Sequence, residues 1–389
     1  MKTKFAFTLA FALIVLSLAS AQKRSSGDRE DRGVRSKSFT VTKGGKLDVS
    51  VSVGDIRISP WEKNEVYVSV DGIDDEDLDR LKMTQSGNTV RVTFRPKWGE
   101  DYHNVRFEVN VPSQFDIDMN TSGGDLEVTG SLTGRIEGQT SGGDIKLNSV
   151  AGTVDVSTSG GNVSAKDILG DGSLKTSGGD ITLKKVSGQL EVSTSGGNIH
   201  VESVSKSLNA HTSGGDIEVG EVGGEAKVST SGGDVKMGKV SGRASMSTSG
   251  GNIELQGASG DVSARTSGGD IRLQNVTGTI DARTSGGTVD AELIPSGKGP
   301  SKLVSSGGEI RLEIPENAKV TIEAYIRVRG WGRKRSDKYQ VRSDFKADVY
   351  EKNDDEDEIR AVYKLNGGGD VITLETSDSD IEIRKLRIK

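Results

Sequence analysis

The pentapeptide Thr-Ser-Gly-Gly-Asp, or a close variant of it, recurs along this chain at a fixed interval of 18 residues. A step of 19 residues leads into the series from Thr121, and a step of 21 residues leads out of it to Ser305. The threonines in regular register are Thr140, Thr158, Thr176, Thr194, Thr212, Thr230, Thr248, Thr266 and Thr284. A fixed period of this length predicts a solenoid, in which each repeat contacts only its neighbours.

Aliphatic residues follow the same period. Within one repeat, Ile145 and Leu147 alternate with polar residues, and so do Val154 and Val156 nine positions later. Alternation with period 2 over short segments predicts strands that bury one face, and the intervening glycines predict turns. The sequence therefore predicts an all-β fold: a single-stranded parallel β-solenoid with 18-residue coils of two or three short strands around a thin aliphatic core, flanked by β-rich capping segments.

Two other solenoids have periods that divide 18. A triangular hexapeptide coil needs aliphatics every six residues, but the steps from Ile145 fall on Ala151 and then Ser157. A calcium-binding nonapeptide roll needs G-G-x-G-x-D in every half-turn, whereas each coil here offers one Gly-Gly and one Asp or Asn. Because calcium takes about 6–8 oxygen ligands, this pattern argues against a calcium site.

The repeated motif itself is interpreted as structural. The glycine pair predicts a tight corner with positive φ, and Thr and Ser are expected to bond to their equivalents on the next coil and to the turn backbone. The following residue is Asp or Asn, and equivalent residues on stacked coils lie about 4.8 Å apart. An unbroken aspartate column would repel itself, and the interspersed asparagines at 162, 198 and 252 reduce that repulsion.

The N-terminus predicts export. Lys2 and Lys4 precede an apolar run that ends at the A-x-A sequence of residues 19–21, a pattern typical of a cleaved signal peptide rather than a membrane anchor. Cleavage removes two lysines and no acidic residue, so the formal net charge changes from −6 to −8. We expect no transmembrane segment in the mature protein. The chain has no cysteine, which excludes disulfides, thiol nucleophiles and a lipoprotein anchor.

The regions on either side of the repeat have a different composition. No Phe, Tyr or Trp occurs between Thr121 and Ile310, so all mature aromatics lie in the flanks, where solenoid ends need capping. Residues 74–83 of the first flank predict a short, solvated acidic helix. The expected organisation is a signal peptide (1–21), a disordered linker (22–37), an N-terminal β cap (38–120), the solenoid (121–310) and a C-terminal β cap (311–389).

These features together resemble the DUF4097 family of exported bacterial β-repeat proteins, which are described as adhesins. The resemblance is carried by "KLDVSVSVGDIRISPWEKNEVYV", by "VRFEVNVPSQF" before the first "TSGGD", by the repeated "SGGDI" and by the closing "LNGGGDVITLETSDSDIEIRK". It covers nearly the whole mature chain. It implies work at the cell surface or envelope, without assigning a ligand or a catalytic residue.

The sequence contains few candidate catalytic residues. Stacked aspartates such as Asp216 and Asp234 have the spacing of about 5–5.5 Å used by retaining glycosidases, but any solenoid with an aspartate column produces it. The histidines are His103, His200 and His211, and none has a partner that completes a ligand set in the sequence. We predict no enzyme activity, no cofactor and no metal site.

One surface stands out as a candidate binding site. The segment "RVRGWGRKRSDKYQVR" (327–342) holds seven basic residues and one Asp, and the acidic "EKNDDEDE" (351–358) follows it. Such a loop is suited to anionic polysaccharide or lipid head groups, while the simpler alternative is a cap whose basic and acidic arms neutralise each other. The candidate residues are Arg329, Trp331, Arg333, Lys334, Arg335, Lys338 and Tyr339.

The sequence favours a non-catalytic structural or adhesin-like protein of the bacterial cell envelope. The alternative is an envelope-stress or ligand-binding module that uses the C-terminal basic loop. Expected partners are envelope polysaccharide, lipid head groups or another surface protein, and not nucleic acid, because the chain is acidic and exported. The expected location is the periplasm, the cell surface or the extracellular medium, and the expected state is a monomer.

Overall fold

The computed structural model describes residues 35–97, 102, 104–328, 338–353 and 357–387. The predicted signal peptide lies outside the described residues. Of the segment expected to be a linker, Arg35 to Lys37 already belong to the first strand. Strands make up nearly all of the regular structure, as the alternation of apolar and polar residues predicts.

The N-terminal part contains eight strands and one short helix. The helix is a 3₁₀ turn at Asp75–Arg80, between the fourth and fifth strands. The strands are β1 (Arg35–Thr40), β2 (Gly45–Val51), β3 (Asp55–Trp61), β4 (Glu65–Asp71), β5 (Leu81–Ser86), β6 (Thr89–Phe94), β7 (Arg106–Pro112) and β8 (Phe115–Asn120).

The repeat region forms two strands per coil. The odd-numbered strands are β9 (Leu126–Thr133), β11 (Ile145–Ala151), β13 (Val163–Ile168), β15 (Ile181–Val186), β17 (Ile199–Val204), β19 (Ile217–Val222), β21 (Val235–Val240), β23 (Ile253–Ala258), β25 (Ile271–Val276), β27 (Val289–Leu293) and β29 (Ile310–Ile314). The even-numbered strands are β10 (Ile136–Gln139), β12 (Val154–Ser157), β14 (Gly172–Lys175), β16 (Leu190–Ser193), β18 (Leu208–His211), β20 (Ala226–Ser229), β22 (Ala244–Ser247), β24 (Val262–Arg265), β26 (Ile280–Thr284) and β28 (Ser301–Ser305).

The described residues of the C-terminal part add six strands. They are β30 (Val320–Arg327), β31 (Val341–Ser343), β32 (Val349–Asn353), β33 (Glu358–Leu365), β34 (Asp370–Ser377) and β35 (Ile381–Lys385). All strands belong to two sheets, which we call sheet A and sheet B. Sheet A has 17 strands and contains the odd-numbered strands of the repeat, and sheet B contains the even-numbered ones.

Every pairing within the repeat region is parallel, as predicted. Ile145 lies beside Val163 in sheet A, and Val154 lies beside Gly172 in sheet B. The predicted inward columns are buried: Ile145, Val163 and Ile181 are each 0 % exposed. The parallel β-solenoid inferred from the 18-residue period is therefore confirmed, and the hexapeptide alternative is wrong because each coil contains two strands.

The coils at both ends of the rod are not stacked in sequence order. At the N-terminal end, β2 lies between β6 and β8, and β3 lies between β7 and β9. At the C-terminal end, β34 lies between β28 and β30, and β35 lies between β29 and β31. Antiparallel neighbours finish each end: β1, β4 and β5 at one, and β32 and β33 at the other. Each terminal part is thereby interleaved with the solenoid.

The glycine pair has a different purpose from the one predicted. In the described chain the motif glycines have no positive φ. Instead, a Cβ on the second glycine would meet the coil below: at Gly179 it would lie 2.1 Å from the carbonyl oxygen of Gly161. The corner needs this glycine because stacked backbones approach closely there, and not because its dihedral angles are unusual.

The threonine of each motif is buried and bonds to backbone, not to the next threonine. Thr176 donates its hydroxyl to the carbonyl oxygen of Gly161 at 2.8 Å, and the same bond recurs in every coil of the repeat region. Thr176 is 6 % exposed. This bond satisfies a carbonyl that the turn would otherwise leave unpaired beside the core.

The acidic helix is shorter and less solvated than predicted. It covers Asp75–Arg80 only, and residues 81–83 belong to β5. Asp77 is 4 % exposed and accepts a hydrogen bond from the Tyr102 hydroxyl at 2.5 Å, while Arg80 lies 3.0 Å away. The prediction of a solvated helix was wrong for Asp77, whose carboxylate is paired with Tyr102 and Arg80 instead of with water. A charged group can be buried only where such partners are present.

Candidate ligand-binding surfaces

The predicted basic loop lies largely outside the described residues. Arg329, Trp331, Arg333, Lys334 and Arg335 are not described, so their part in a binding site stays a prediction. Lys338 is exposed, and its ammonium nitrogen lies 5.3 Å from the ring centroid of Tyr339. The Tyr339 ring packs against the core with part of its surface exposed.

Asp380 fixes the end of this loop to the solenoid. Its carboxylate accepts from the backbone N–H of Gln340 at 3.0 Å and from the Arg342 guanidinium at 3.0 Å. On the acidic side, Glu351 lies 3.5 Å from Arg360 and Glu358 lies 3.9 Å from Arg327. Glu351 and Glu358 thus pair with bases on neighbouring strands, and the Arg327–Glu358 pair joins the basic segment to the acidic one, as a self-neutralising cap requires.

The Asp and Asn column forms a hydrogen-bonded ladder. The Asp216 carboxylate accepts from the backbone N–H of Asp234 at 2.8 Å, and the Asn198 side-chain oxygen accepts from the N–H of Asp216 at 2.8 Å. The sequence pattern did not reveal this bond, although the exchange of Asp for Asn is a signal for it, because both side chains offer the same acceptor oxygen. The column orders the corner, and Asp216 and Asp234 are not a free carboxylate pair.

The described histidines make ordinary surface contacts. His200 Nδ1 lies 3.3 Å from a Glu218 oxygen, and His211 Nδ1 lies 2.9 Å from the Ser229 hydroxyl. His103 is outside the described residues. Within the described ranges, no group of three or more His, Asp or Glu side chains is placed to hold a metal ion.

A cavity of about 810 Å³ lies beside the last coils of sheet A, lined by Glu292, Glu313, Asp344 and Arg384 among others. Glu313 stands beside Glu292 on one side and beside Arg384 on the other. Burial raises the pKa of the Glu313 carboxyl, and the negative charges of Glu292 and Asp290 raise it further. The three acids of this cavity, Glu292, Glu313 and Asp344, face the three bases Arg384, Lys385 and Arg387, and no motif in the sequence points to the site.

A longer groove of about 610 Å³ runs along the outward face of sheet B, which we call the central groove. Each coil from β12 to β22 contributes to it, with one residue from the turn before the strand and one or two residues from the strand itself. Its polar side chains include Ser173, Gln189, Asn209, Glu225 and Lys227. None of the described residues that line it is aromatic. Sequence analysis missed this groove because its residues are unremarkable one at a time.

Two stacked parallel sheets that share one aliphatic core define the protein as a β-solenoid repeat protein. The chain belongs to the Toastrack DUF4097 family, whose model matches residues 45–263 and 205–384. Among the described residues, no helix is long and apolar enough to cross a membrane.

Several solved structures are similar to this chain. A putative adhesin from Parabacteroides distasonis is 16 % identical, with 67 % of this chain and 98 % of that chain covered and a TM-score of 0.35. A putative adhesin from Bacteroides fragilis is 13 % identical, with coverage of 91 % and 97 % and a TM-score of 0.22. A putative lipid binding protein from Parabacteroides distasonis is 12 % identical, with coverage of 91 % and 97 % and a TM-score of 0.22. No curated protein matches the chain.

Proposed function

We propose that this chain is an exported, non-catalytic, adhesin-like structural protein of the bacterial cell envelope. The observation that carries the proposal is the unbroken ladder of corner bonds, which runs from the Thr121–Gly54 bond to the Thr376–Gly308 bond. A ladder of this kind joins every coil to the next, so the molecule is a continuous rod. With the 17 strands of sheet A stacked about 4.8 Å apart, the rod is about 75–80 Å long.

A rod with a thin aliphatic core suits display better than catalysis. Catalytic groups need surroundings that shift their pKa values, and these are usually concave pockets from which water is partly excluded. Here the Asp and Asn column lies mostly at the surface, and its aspartates support the corner backbone. The signal sequence at residues 1–21 adds the expectation that this rod works outside the cytoplasm.

Expression in a bacterial host tests the proposal in two parts. The full chain should be exported, and N-terminal sequencing of the mature protein should begin at Gln22, whereas a chain without residues 2–21 should stay in the cytoplasm. Cells that export the full chain should attach more strongly to envelope polysaccharide coated on a surface than cells with the leaderless chain. Cytoplasmic retention of the full chain, or equal attachment of the two strains, would overturn the proposal.

A second candidate function is ligand binding through the C-terminal basic loop. The density of basic side chains in residues 327–342, next to Trp331 and Tyr339, favours anionic head groups or polysaccharide. Replacement of Arg333, Lys334 and Arg335 by Ser should abolish binding to vesicles that contain anionic lipid, with neutral vesicles as the control. If the full mature protein binds neither anionic vesicles nor anionic polysaccharide, the loop has no binding function and is only part of the cap.

A further inference from the structure

The central groove follows the rod axis. Its turn residues, such as Gln189, Ser207 and Glu225, come from successive coils, and its strand residues, such as Asn209 and Lys227, stand beside one another in parallel register. From β12 to β22 the groove extends about 24 Å, at about 4.8 Å per coil. A straight groove with one set of polar groups per coil matches a linear polymer better than a compact small molecule.

The polar groups of this groove are available. In the described part of the chain, the side chains of Ser173, Gln189, Asn209, Glu225 and Lys227 have no hydrogen-bond or ion-pair partner. Three groove residues do have partners: Glu191 lies 3.1 Å from Lys175, Arg243 lies 3.7 Å from Asp261, and the Asp171 carboxylate accepts from the backbone N–H of Gln189. Gln189, Asn209, Glu225 and Lys227 are also exposed, so a ligand can reach them.

The same face of sheet B is paired internally towards both ends of the rod. Its ion pairs there are Arg91–Asp48 at 2.8 Å, Lys46–Asp118 at 3.1 Å, Arg283–Asp281 at 2.8 Å and Lys302–Glu375 at 2.7 Å. The centre has ion pairs as well, at Lys175–Glu191 and Arg243–Asp261, but between them lies a run of unpaired polar side chains although the backbone is the same. Side chains that are satisfied within the protein offer less to a ligand, so binding capacity is concentrated in the centre.

The charges of the groove point to a neutral ligand. Asp171, Glu191 and Glu225 oppose Lys227 and Arg243, so neither sign dominates. A strongly anionic polymer would meet the carboxylates, and a lipid chain would need an apolar lining that is absent among the described groove side chains facing solvent. Hydroxyl, amide and mixed charged groups in a row are the partners that sugar hydroxyls use.

We propose that the central groove binds a linear neutral glycan laid along the rod across β12 to β22. This inference rests on the proposed adhesin-like function, because it names the class of ligand for that role. Without aromatic platforms, each sugar contributes only hydrogen bonds, and affinity accumulates because consecutive coils engage consecutive units of one polymer. Affinity should therefore rise with chain length until the oligosaccharide fills the groove.

Calorimetry on the purified mature protein tests this with two probe series, cello-oligosaccharides and chito-oligosaccharides of two to six sugars. We expect affinity for at least one series to rise at least tenfold between the dimer and the hexamer. The triple variant Gln189→Ala, Asn209→Ala, Lys227→Ala should lose at least tenfold in hexamer affinity. The matched control Gln256→Ala, Thr182→Ala, Lys236→Ala changes exposed residues of sheet A and should bind as the wild type does.

Three calorimetric outcomes overturn the inference: no binding of either series, binding that does not depend on chain length, or equal losses of affinity in the two triple variants. Unfolding midpoints of both variants should equal that of the wild type, because the replaced residues are exposed, and this measurement checks that the fold is intact. The attachment assay separates this inference from the function on which it rests. If exporting cells attach but the groove variant attaches equally well, the adhesin-like function stands and the glycan groove is wrong.

Discussion

Thr376 donates its hydroxyl to the carbonyl oxygen of Gly308 at 2.7 Å across 68 residues of sequence. Within the regular repeat the same bond joins residues 15 apart, as between Thr284 and Gly269 at 2.9 Å. The C-terminal segment thus forms a true coil of the solenoid, inserted beneath β30 and β31. Asp380 then accepts from Gln340, as each motif Asp or Asn accepts from the coil above it.

The two glycines of one motif should respond differently to substitution. A Cβ at position 179 would lie 2.1 Å from the Gly161 carbonyl oxygen, whereas at position 178 it would lie 3.5 Å from the Gly160 carbonyl oxygen. Gly179→Ala should lower the free energy of unfolding by about 2–3 kcal/mol because the backbone must move. Gly178→Ala is the control and should be neutral or stabilising by up to about 1 kcal/mol, since it restricts the unfolded chain. Urea unfolding measures both, and equal effects would contradict the close-approach explanation.

The Asp and Asn ladder should depend on an acceptor oxygen and not on charge. Replacing Asp216 and Asp234 together by Asn keeps the acceptors and removes two neighbouring like charges, so stability should be unchanged or slightly higher. Asp216→Ala removes the acceptor for the Asp234 N–H and should cost about 1 kcal/mol. Thermal unfolding compares the three proteins. A large loss in the double Asn variant would show that the charge matters, and a lost hydrolytic activity would overturn the structural interpretation.

Asp144 should contribute to stability against acid. Its pKa is lowered, chiefly because the backbone N–H of Asn162 donates to its carboxylate and also because Lys146 lies 3.4 Å away. A lowered folded-state pKa gives stability that is present above the ordinary value of about 3.9 and is lost as the pH falls through the folded value. Asp144→Asn should therefore flatten the acid limb of the urea midpoint against pH. An unchanged slope below about pH 4 would contradict this assignment.

Glu313 should behave in the opposite way. Its pKa is raised by burial and by Glu292 and Asp290, so its stabilising form is the protonated one. That stability is fully present below the ordinary value of about 4.3 and is lost as the pH rises through the raised folded value. Glu313→Gln should be more stable than the wild type at pH 7, with the difference closing towards pH 4. A variant that is less stable at neutral pH would show that Arg384 dominates instead.

The C-terminal part should protect the end of the solenoid. A chain that ends after Pro315 loses β34 and β35, the parallel neighbours of β28 and β29, and so exposes two strand edges at once. Such edges favour association between molecules. We expect concentration-dependent oligomers or fibres by light scattering, while the mature chain stays monomeric. A monomeric truncated rod would show that these strands are dispensable as a cap.

The repeat region could be predicted well because one period governs both its strands and its core. Ile145, Leu147 and Val150 recur at the same offsets, and their columns are the buried ones. The reason for the glycines could not be predicted, because a close approach between coils and a positive φ both favour glycine, and the sequence alone does not distinguish them. The depth of Asp77 could not be predicted either, since its partner Tyr102 lies 25 residues away.

The terminal coils and the candidate site were harder to predict. The turn at residues 51–55 has Val where the motif has Thr, and the turn at 376–380 has Asp and Ser where it has glycines, so the repeat signal fades there. In the C-terminal part, Ile322 and Ile372 are buried while Val371 is 38 % exposed. The central groove depends on which surface groups lack partners, and that information is present only once neighbouring coils are in place.

The corner bonds also make the length of the rod depend directly on the number of repeats. In the regular coils each motif Thr donates to a carbonyl 15 residues earlier, and each Asp or Asn accepts from the residue 18 positions later, so every contact of the ladder joins adjacent coils. If one 18-residue unit is inserted or deleted in register, the coils on either side form the same bonds as before and both interleaved ends are unchanged. Copy number in the gene then sets the distance between the two ends in steps of about 4.8 Å.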